Sequence, residues 1–175
     1  MWAVHAWDDV PVTELVVLVG LQASGKSTFT ASRFAATHVV VSKDLMRSAR
    51  HKEARQRRAV AEALSAGRDV VVDNTNPGRE QRAPLIELAR LHGARPVAYY
   101  FPPHRSACLA RNAARTGPAR VPEVGVFATL KALRKPSRAE GFDAVYVVEL
   151  AGGGRFTVVE DEGGDEGGDD GETGR

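Results

Sequence analysis

The chain has 175 residues, a net charge of +2 and a single cysteine. This length predicts one domain with one hydrophobic core. The lone Cys108 excludes an internal disulfide and a multi-thiolate metal site, and we expect it to be a buried small hydrophobe. The sequence has no run of apolar residues long enough to span a bilayer, so we expect no membrane association. Its N-terminal segment does not resemble a signal peptide, so we expect a cytoplasmic location.

The net charge conceals a strong asymmetry along the chain. Residues 160–175 carry eight acidic side chains and one arginine, so residues 1–159 carry about +9. A body this basic suits a polyanionic partner such as nucleic acid, although it is equally typical of a surface kept charged for solubility. We expect a domain over residues 1–159 and a disordered acidic tail over 160–175, because that tail has almost no apolar side chains to bury.

Short apolar runs recur along the chain and predict the strands of a parallel sheet. We expect five strands, at Leu15–Val19, Val39–Val41, Asp69–Asp73, Val97–Phe101 and Val145–Leu150. Residues 152–159, with three glycines followed by an apolar run, predict an additional hairpin at the sheet edge.

Helical segments alternate with these strands. We expect helices to begin at Lys26 and near Lys52, Pro77, Pro103 and Pro122, with proline at the first helical position in the last three. Gly67 and Gly93 stand where the second and third helices should end. The alternation predicts an α/β fold with helices on both faces of the sheet. Together with the phosphate-loop motif described next, it predicts a P-loop fold, and the arginine pair described below predicts a small helical lid.

The most specific motif is the phosphate-loop pattern G-x-x-x-x-G-K-[ST], which follows the first strand and opens the first helix. Its backbone N–H groups and the helix N-terminus predict a cradle for the phosphates of ATP or another nucleoside triphosphate. Lys26 should reach the β- and γ-phosphates, and the Ser27 hydroxyl should ligate Mg²⁺. The expected nucleotide-binding residues are Gly20, Leu21, Gln22, Ala23, Ser24, Gly25, Lys26, Ser27 and Thr28.

Two candidate site residues, Asp44 and Arg47, follow the second strand. Because ligands of open α/β sheets bind beyond the carboxyl ends of the strands, Asp44 should stand near the phosphate loop. It could accept a proton from an attacking hydroxyl, and Arg47 could hold a phosphate of the acceptor. The alternative is that Asp44 caps the turn that follows it.

Asp73 ends the third strand and is expected to order the water shell of a metal or to support the acceptor site. The polar run Asn74-Thr75-Asn76 comes before the predicted third helix. Thr75 or Asn76 is therefore expected to cap that helix.

Arg111 and Arg115 are four residues apart and would share a face if this stretch is helical. Such a pair after the fourth strand predicts a lid that neutralises charge on the triphosphate during transfer. Solvated surface arginines are the alternative.

These motifs together resemble the kinase domain of the 5′-hydroxyl polynucleotide kinases, in particular the kinase module of bacterial end-healing polynucleotide kinase-phosphatase proteins. The resemblance spans about residues 14–150 and rests on the phosphate loop and on four further motifs, which are Ser42-x-Asp44-x-x-Arg47, Gly67-x-x-Val70-Val71-Val72-Asp73-Asn74-Thr75-Asn76, Arg111-x-x-x-Arg115 and Glu140-Gly141-Phe142. Some members have asparagine in place of Ser42. The chain has no room for the phosphatase and ligase domains of the bacterial proteins.

The resemblance implies a role for each matching residue. Asp44 would be the general base, Arg47 would contact the terminal phosphodiester of the acceptor, and Asp73 would support the acceptor site. Arg111 and Arg115 would be lid arginines on the donor phosphates, and Glu140-Gly141-Phe142 would be structural.

The implied activity is Mg²⁺-dependent transfer of the γ-phosphate of ATP, or another nucleoside triphosphate, to a 5′-hydroxyl end of RNA or DNA. The alternatives are a kinase for a small-molecule hydroxyl and a nucleotide-binding regulator without transferase activity. The oligomeric state, the role of the tail and the roles of Trp2 and Trp7 are left open by the sequence.

Overall fold

The computed structural model describes residues 12–46 and 50–163. The strands are β1 (Glu14–Val19), β2 (Val39–Val41), β3 (Val70–Val72), β4 (Arg95–Tyr100), β5 (Ala144–Ala151) and β6 (Arg155–Glu160). The helices are α1 (Lys26–Arg33), α2 (Lys52–Ser65), α3 (Arg79–Leu91), α4 (Arg105–Ala113) and α5 (Glu123–Ala132), with short 3₁₀ turns between them. Within the described ranges, no helix has the length and apolar character needed to span a membrane.

The six strands form one sheet in the order β2-β3-β1-β4-β5-β6. The first five run parallel, and β6 pairs antiparallel with β5. The strand that leads into the phosphate loop, β1, is therefore central, hydrogen-bonded to β3 on one side and β4 on the other. Because the carboxyl ends of the parallel strands lie at one edge, the loops after β1, β2 and β3 meet there.

The core lies on both faces of the sheet, as expected for parallel strands covered by helices. Along β1, Leu15, Val17 and Val19 pack on the face covered by α2 and α3, while Val16 and Leu18 pack on the other. All five side chains are fully buried. Each Å² of apolar surface removed from water stabilises the fold by about 25 cal/mol. Because β1 is packed on both faces, it forms a rigid base for the loop that follows it.

The expected strands all form, with ends shifted by one or two residues, and the hairpin predicted for residues 152–159 is confirmed as β6. Gly67 and Gly93 adopt positive φ just past the ends of α2 and α3, as expected of helix-terminating glycines. The predicted cap of α3 is wrong, because Gly78 is its N-cap and the Gln81 side chain accepts a hydrogen bond from the Gly78 N–H at 2.8 Å.

The three prolines stand outside the helices that they precede. Pro122 is the N-cap of α5, and Pro77 and Pro103 come one residue before the N-caps of α3 and α4. Proline excludes the α conformation at the residue before it, so these positions still mark where each helix can begin.

The acidic segment expected from residue 160 begins inside the sheet. Glu160 is the last residue of β6 and pairs with Arg138 at 2.6 Å, and Asp161 pairs with Lys135 at 2.8 Å. Residues 164–175, together with Arg47, Trp2 and Trp7, lie outside the described residues.

Candidate active site at the phosphate loop

The loop between β1 and α1 has a strongly curved backbone. Ala23 has a φ of +58° and Gly25 a φ of +100°, alternations that turn successive N–H groups toward one concave side. Gly20 passes so close to the β4 end that a Cβ there would lie 2.8 Å from Phe101 Cβ. The Gly20 N–H donates to the Thr75 carbonyl at 3.0 Å, which ties the loop to the segment after β3. The result is an anion cradle at the N-terminus of α1.

The Lys26 side chain folds back over this cradle and is 7% exposed. Its Nζ donates to the carbonyls of Gly20 and Leu21 at 3.1 and 2.5 Å and lies 3.3 Å from Ser24 Oγ. Burial lowers the pKa of Lys26 to about 8, against the opposing influence of the Asp73 carboxylate. A phosphate entering the cradle would therefore meet a cation that lacks an ion-pair partner within 4 Å among the described residues.

Asp73 follows β3 and is 8% exposed. Burial raises the pKa of its carboxyl, while the neighbouring Ser27 hydroxyl and Lys26 ammonium oppose that rise. The described residues contain no cluster of three or more His, Cys, Asp or Glu that could hold a metal alone. A hydroxyl and one carboxylate beside a phosphate cradle fit Mg²⁺, which takes few protein oxygens and shares the rest of its shell with phosphates and water.

Asp44 lies in the 3₁₀ turn Lys43–Leu45 that follows β2. Ser42 is the cap of this turn, since its Oγ accepts from the Asp44 N–H at 3.3 Å. Asp44 is therefore not the cap of the 3₁₀ turn in which it lies, and the turn that follows it includes residues outside the described ranges. Its carboxylate is exposed, has no hydrogen-bond partner among the described residues, and is close enough to influence the pKa of both Lys26 and Asp73.

A cavity of about 210 Å³, here called the Asp44 pocket, opens beside the phosphate loop. Its lining comes from the loop, the turn after β2 and the segment after β3, and consists of Gln22, Lys43, Asp44, Asn74, Thr75, Asn76, Pro77 and Gln81. Asn74 shapes one wall, because its Oδ1 accepts from the Lys43 N–H at 2.9 Å and its Nδ2 donates to the buried Gln56 at 2.6 Å. The turn that carries Asp44 is thus fixed to the segment after β3.

A buried ion pair fixes the position of the segment after β3. Arg82, with no exposed surface, donates from Nε and Nη2 to the Glu140 carboxylate at 2.8 and 2.7 Å. Its Nη1 donates to the carbonyls of Asn76, Pro77 and Arg134 at 3.0, 2.9 and 3.1 Å. Glu140 therefore has the structural role expected of the Glu140-Gly141-Phe142 motif.

The two arginines predicted for the lid have different environments. Arg111 lies near the end of α4, half-buried, with its Nε buried and without a hydrogen-bond partner. Arg115 lies beyond the helix, is exposed, and contributes to lowering the pKa of Lys26. The condition for a shared helical face is not met, because α4 ends at Ala113, before Arg115.

The segment from α4 to α5 nevertheless stands next to the loop. Gln22 Nε2 donates to Thr129 Oγ1 on α5 at 2.8 Å. Asn112, 2% exposed, holds the connection closed by exchanging two hydrogen bonds with the Val121 backbone at 2.7 and 3.0 Å. The α4–α5 segment, where a lid is predicted, therefore contacts the phosphate loop through Thr129 and not through the two arginines of that prediction.

Several residues that build the site were missed by sequence reasoning. Gln56, Arg82 and Asn112 lie in helices, where polar side chains are ordinarily assigned to solvent, and each is almost fully buried. Asn76 was assigned to a helix cap, but its Nδ2 donates to the Leu18 carbonyl at 2.8 Å. These contacts join residues far apart in sequence, and no local pattern reveals them.

Comparison with known proteins extends this description. A 78-residue stretch, 44% of the chain, is 37% identical to the bifunctional polynucleotide phosphatase/kinase of Schizosaccharomyces pombe. The chain covers only 18% of the length of that protein.

Two solved structures share the fold. A gluconokinase from Sinorhizobium meliloti matches with a TM-score of 0.56 at 22% identity, over 79% of this chain and 83% of that one. A fungal RNA kinase matches with a TM-score of 0.55 at 16% identity, over 81% of this chain and 77% of that one. The architecture is accordingly that of the P-loop kinases.

The family model described as "AAA domain" matches residues 15–137, which begin in β1 and contain the phosphate loop, Asp44, Asp73, Arg111 and Arg115. That match covers most of the chain. The protein therefore belongs to the AAA-domain family of P-loop proteins.

Proposed function

We propose that this protein transfers the γ-phosphate of ATP, or another nucleoside triphosphate, to the 5′-hydroxyl end of RNA or DNA. The observation that carries the proposal is the position of Asp44. Its exposed carboxylate lines a pocket directly beside the phosphate loop and lies close enough to influence the pKa of Lys26. A protein that only binds nucleotide needs no free carboxylate at that place.

The proposed step is an in-line displacement at the γ-phosphorus. The acceptor hydroxyl oxygen forms the new bond to phosphorus, the bond from phosphorus to the β-phosphate oxygen breaks, and the nucleoside diphosphate leaves. Asp44 orients the hydroxyl and takes its proton, a role worth about 10²- to 10⁴-fold in rate. Lys26 neutralises charge on the β- and γ-phosphates from its buried position over the cradle.

Ser27 and Asp73 are the residues that would hold Mg²⁺. When bound, the ion supplies charge neutralisation on the phosphate oxygens. Asp73 is suited to this role because its buried carboxylate adjoins the Ser27 hydroxyl. Its proximity to the segment that lines the Asp44 pocket also supports a contribution to acceptor binding.

The lid arginines complete the donor side of the proposal. Arg115 is exposed and its charge contributes to lowering the pKa of Lys26, which supports a role for its guanidinium on the donor phosphates. Arg111 has a buried Nε without a hydrogen-bond partner, a donor that a phosphate oxygen would satisfy. Arg47, outside the described residues, is proposed to contact the acceptor phosphodiester because it lies three residues after Asp44.

The polynucleotide acceptor is favoured by the 37% identity to the fission-yeast polynucleotide phosphatase/kinase. A small-molecule acceptor is the second candidate, because the gluconokinase shares the fold. The charge of about +9 on residues 1–159 supports a polyanionic acceptor over a small molecule with a single negative charge or none.

The test is to incubate the protein with γ-labelled ATP, Mg²⁺ and 5′-hydroxyl RNA or DNA oligonucleotides, with gluconate and similar polyols in parallel reactions. Label on an oligonucleotide supports the proposal. Label only on a polyol identifies a small-molecule kinase, and normal ATP binding with no labelled product in any reaction identifies a nucleotide-binding regulator.

Substitution of Asp44 by asparagine tests the mechanism. We expect kcat to fall by about 10²-fold or more while ATP affinity stays within about threefold, since the carboxylate acts on the acceptor. Asp143→Asn is the matched control, because Asp143 pairs with Arg90 on the surface and should leave kcat unchanged. Full activity in Asp44→Asn would exclude Asp44 as the base.

A further inference from the structure

The Asp44 pocket is too small to hold a whole nucleotide acceptor. Its volume of about 210 Å³ is below the roughly 300–1,000 Å³ of pockets that enclose a small ligand. Under the proposed function, on which this inference rests, the acceptor must therefore extend beyond the pocket. The question is which part of the surface receives the rest of the strand.

Two grooves adjoin the pocket across the segment Pro77–Gln81. The first, here called the α5 groove, has a volume of about 550 Å³ and is lined by Gly78, Arg79, Glu80, Ala132, Arg134 and Lys135. The second, here called the α2 groove, measures about 350 Å³ and shares Gln81 with the Asp44 pocket. Both are large enough to receive a nucleotide.

The charges on the two grooves differ in sign. The charged lining of the α2 groove is Glu53, Arg57 and Glu80, an excess of one negative charge. The α5 groove sets three cations against Glu80, an excess of two positive charges. A strand with one negative charge per nucleotide is repelled by the first and attracted by the second.

The cations of the α5 groove are available to a ligand to different degrees. Arg134 has no carboxylate within 4 Å among the described residues, and its Nη1 donates to the carbonyls of Lys131 and Leu133 at 2.8 and 2.9 Å. The Arg79 side chain is 73% exposed, and its nearest carboxylate is 3.8 Å away on Glu140, which already accepts two hydrogen bonds from Arg82. Lys135 shares its charge with Asp161.

The floor of the groove is rigid and continuous with the Asp44 pocket. The Arg134 N–H donates to the Pro77 carbonyl at 2.9 Å, and the buried Arg82 side chain binds the carbonyls of both residues. Pro77 lines the Asp44 pocket, and its neighbour Gly78 lines the groove. A strand leaving the pocket past Pro77 therefore enters a surface whose shape is fixed before binding, which lowers the entropy cost of binding.

We propose that the α5 groove is the path of the acceptor strand, where Arg79, Arg134 and Lys135 bind backbone phosphates of a single-stranded nucleic acid whose 5′-hydroxyl end lies in the Asp44 pocket. These contacts are to phosphates, so they add affinity for longer strands without selecting sequence.

The experiment measures binding by fluorescence anisotropy and transfer with γ-labelled ATP, using 5′-hydroxyl oligonucleotides of two and ten nucleotides. The variants are Arg79→Gln, Lys135→Gln and the triple change that adds Arg134→Gln. We expect each single variant to weaken binding of the ten-nucleotide strand by about 3- to 10-fold and to leave the KM of the dinucleotide unchanged. The triple variant should also reduce the slope of log Kd against log salt by about 2.

Arg57→Gln is the matched control, since it removes an exposed arginine from the α2 groove. It should bind the ten-nucleotide strand as the wild type does. Arg79→Lys should recover most of the affinity lost in Arg79→Gln, and melting curves of all variants should superimpose on that of the wild type.

Three results would overturn the α5 groove as the strand path. They are a ten-nucleotide strand that binds no tighter than the dinucleotide, a loss of affinity in Arg57→Gln larger than in the triple variant, and an equal loss for both strand lengths. In each case the wild type can still phosphorylate the dinucleotide, so the proposed function would stand. A wild type that labels neither strand would instead refute the proposed function.

Discussion

Among the single residues of the site, Lys26 has the ionisation that matters most for nucleotide binding. Burial lowers its pKa to about 8, so near pH 8 about half of the free protein carries a neutral amine there. A triphosphate in the cradle would favour the charged form and raise that pKa. Nucleotide binding should therefore take up protons.

We predict that titration calorimetry with ATP at pH 8 gives observed heats that differ between two buffers of unlike ionisation enthalpy. The difference should correspond to uptake of up to about half a proton per site, and the affinity should fall as the pH rises from 7.5 to 9.5. Lys43→Met, which removes a partly buried lysine from the Asp44 pocket, should keep the effect. Heats that do not depend on the buffer would contradict the prediction.

The same lowered pKa affects the stability of the free protein. Between about 8 and the ordinary value of 10.5, the unfolded chain holds a proton on Lys26 that the folded chain has lost. The stability of the wild type relative to Lys26→Met should therefore increase as the pH rises through that window. Urea unfolding of both proteins at pH 7.5 and 10 measures the difference.

At the level of elements, the pair between α3 and the turn before β5 determines the position of the segment after β3. Arg82 has no exposed surface and Glu140 only 5%. Removing one partner of such a pair leaves a buried charge without compensation, at a cost of about 3–5 kcal/mol.

Glu140→Gln should therefore reduce the free energy of unfolding by about 3 kcal/mol or more and raise the KM for the acceptor, because Arg82 holds the carbonyls of Asn76 and Pro77. Glu160→Gln provides the comparison, since Glu160 and Arg138 form an exposed pair expected to contribute less than about 1 kcal/mol. If urea unfolding shows the same reduction in the free energy of unfolding for both variants, burial does not make the Arg82–Glu140 pair more important for stability than the exposed pair.

The elements also show what sequence patterns can predict. The apolar runs and the phosphate loop located all five parallel strands and the start of α1, because strand burial and helix initiation are local in sequence. Asp73 lies near the loop because β3 pairs with β1, and Asp44 lies near it because β2 pairs with β3 on the far side.

Other features could not be predicted, for a physical reason. Arg82 lies in α3 and its partner Glu140 is 58 residues away in sequence, so no local pattern indicates the pair. The Asn76 amide donates to the Leu18 carbonyl, also 58 residues away, instead of capping α3. Arg115 lies beyond the end of α4, where the helical spacing from Arg111 no longer applies.

For the whole molecule, the edge hairpin contributes directly to the site. The Phe156 ring of β6 packs on Phe29 of α1 with centroids 5.2 Å apart. A Cβ built on Gly25 would lie 3.3 Å from Phe156 Cε1. The last strand thus supports the phosphate loop from the face opposite to α2 and α3.

Phe156→Ala should reduce the free energy of unfolding by about 2 kcal/mol, less than the 3–5 kcal/mol of a fully buried phenylalanine because this ring is half-buried. Val159→Ala on the same strand should change it by less than about 0.5 kcal/mol, since Val159 is 66% exposed. Thermal melting of both variants checks the difference. A Phe156→Ala variant as stable as Val159→Ala would show that the hairpin does not support the loop.

The contact between Phe156 and the phosphate loop also bears on how the protein is made. The ribosome synthesises the loop at residues 20–27 early, but the aromatic ring that packs beneath it belongs to residue 156. A nascent chain can form β1 and its neighbours long before β6 leaves the exit tunnel, and its loop then lacks part of its packing. Nucleotide affinity should therefore mature only after β6 has left the exit tunnel.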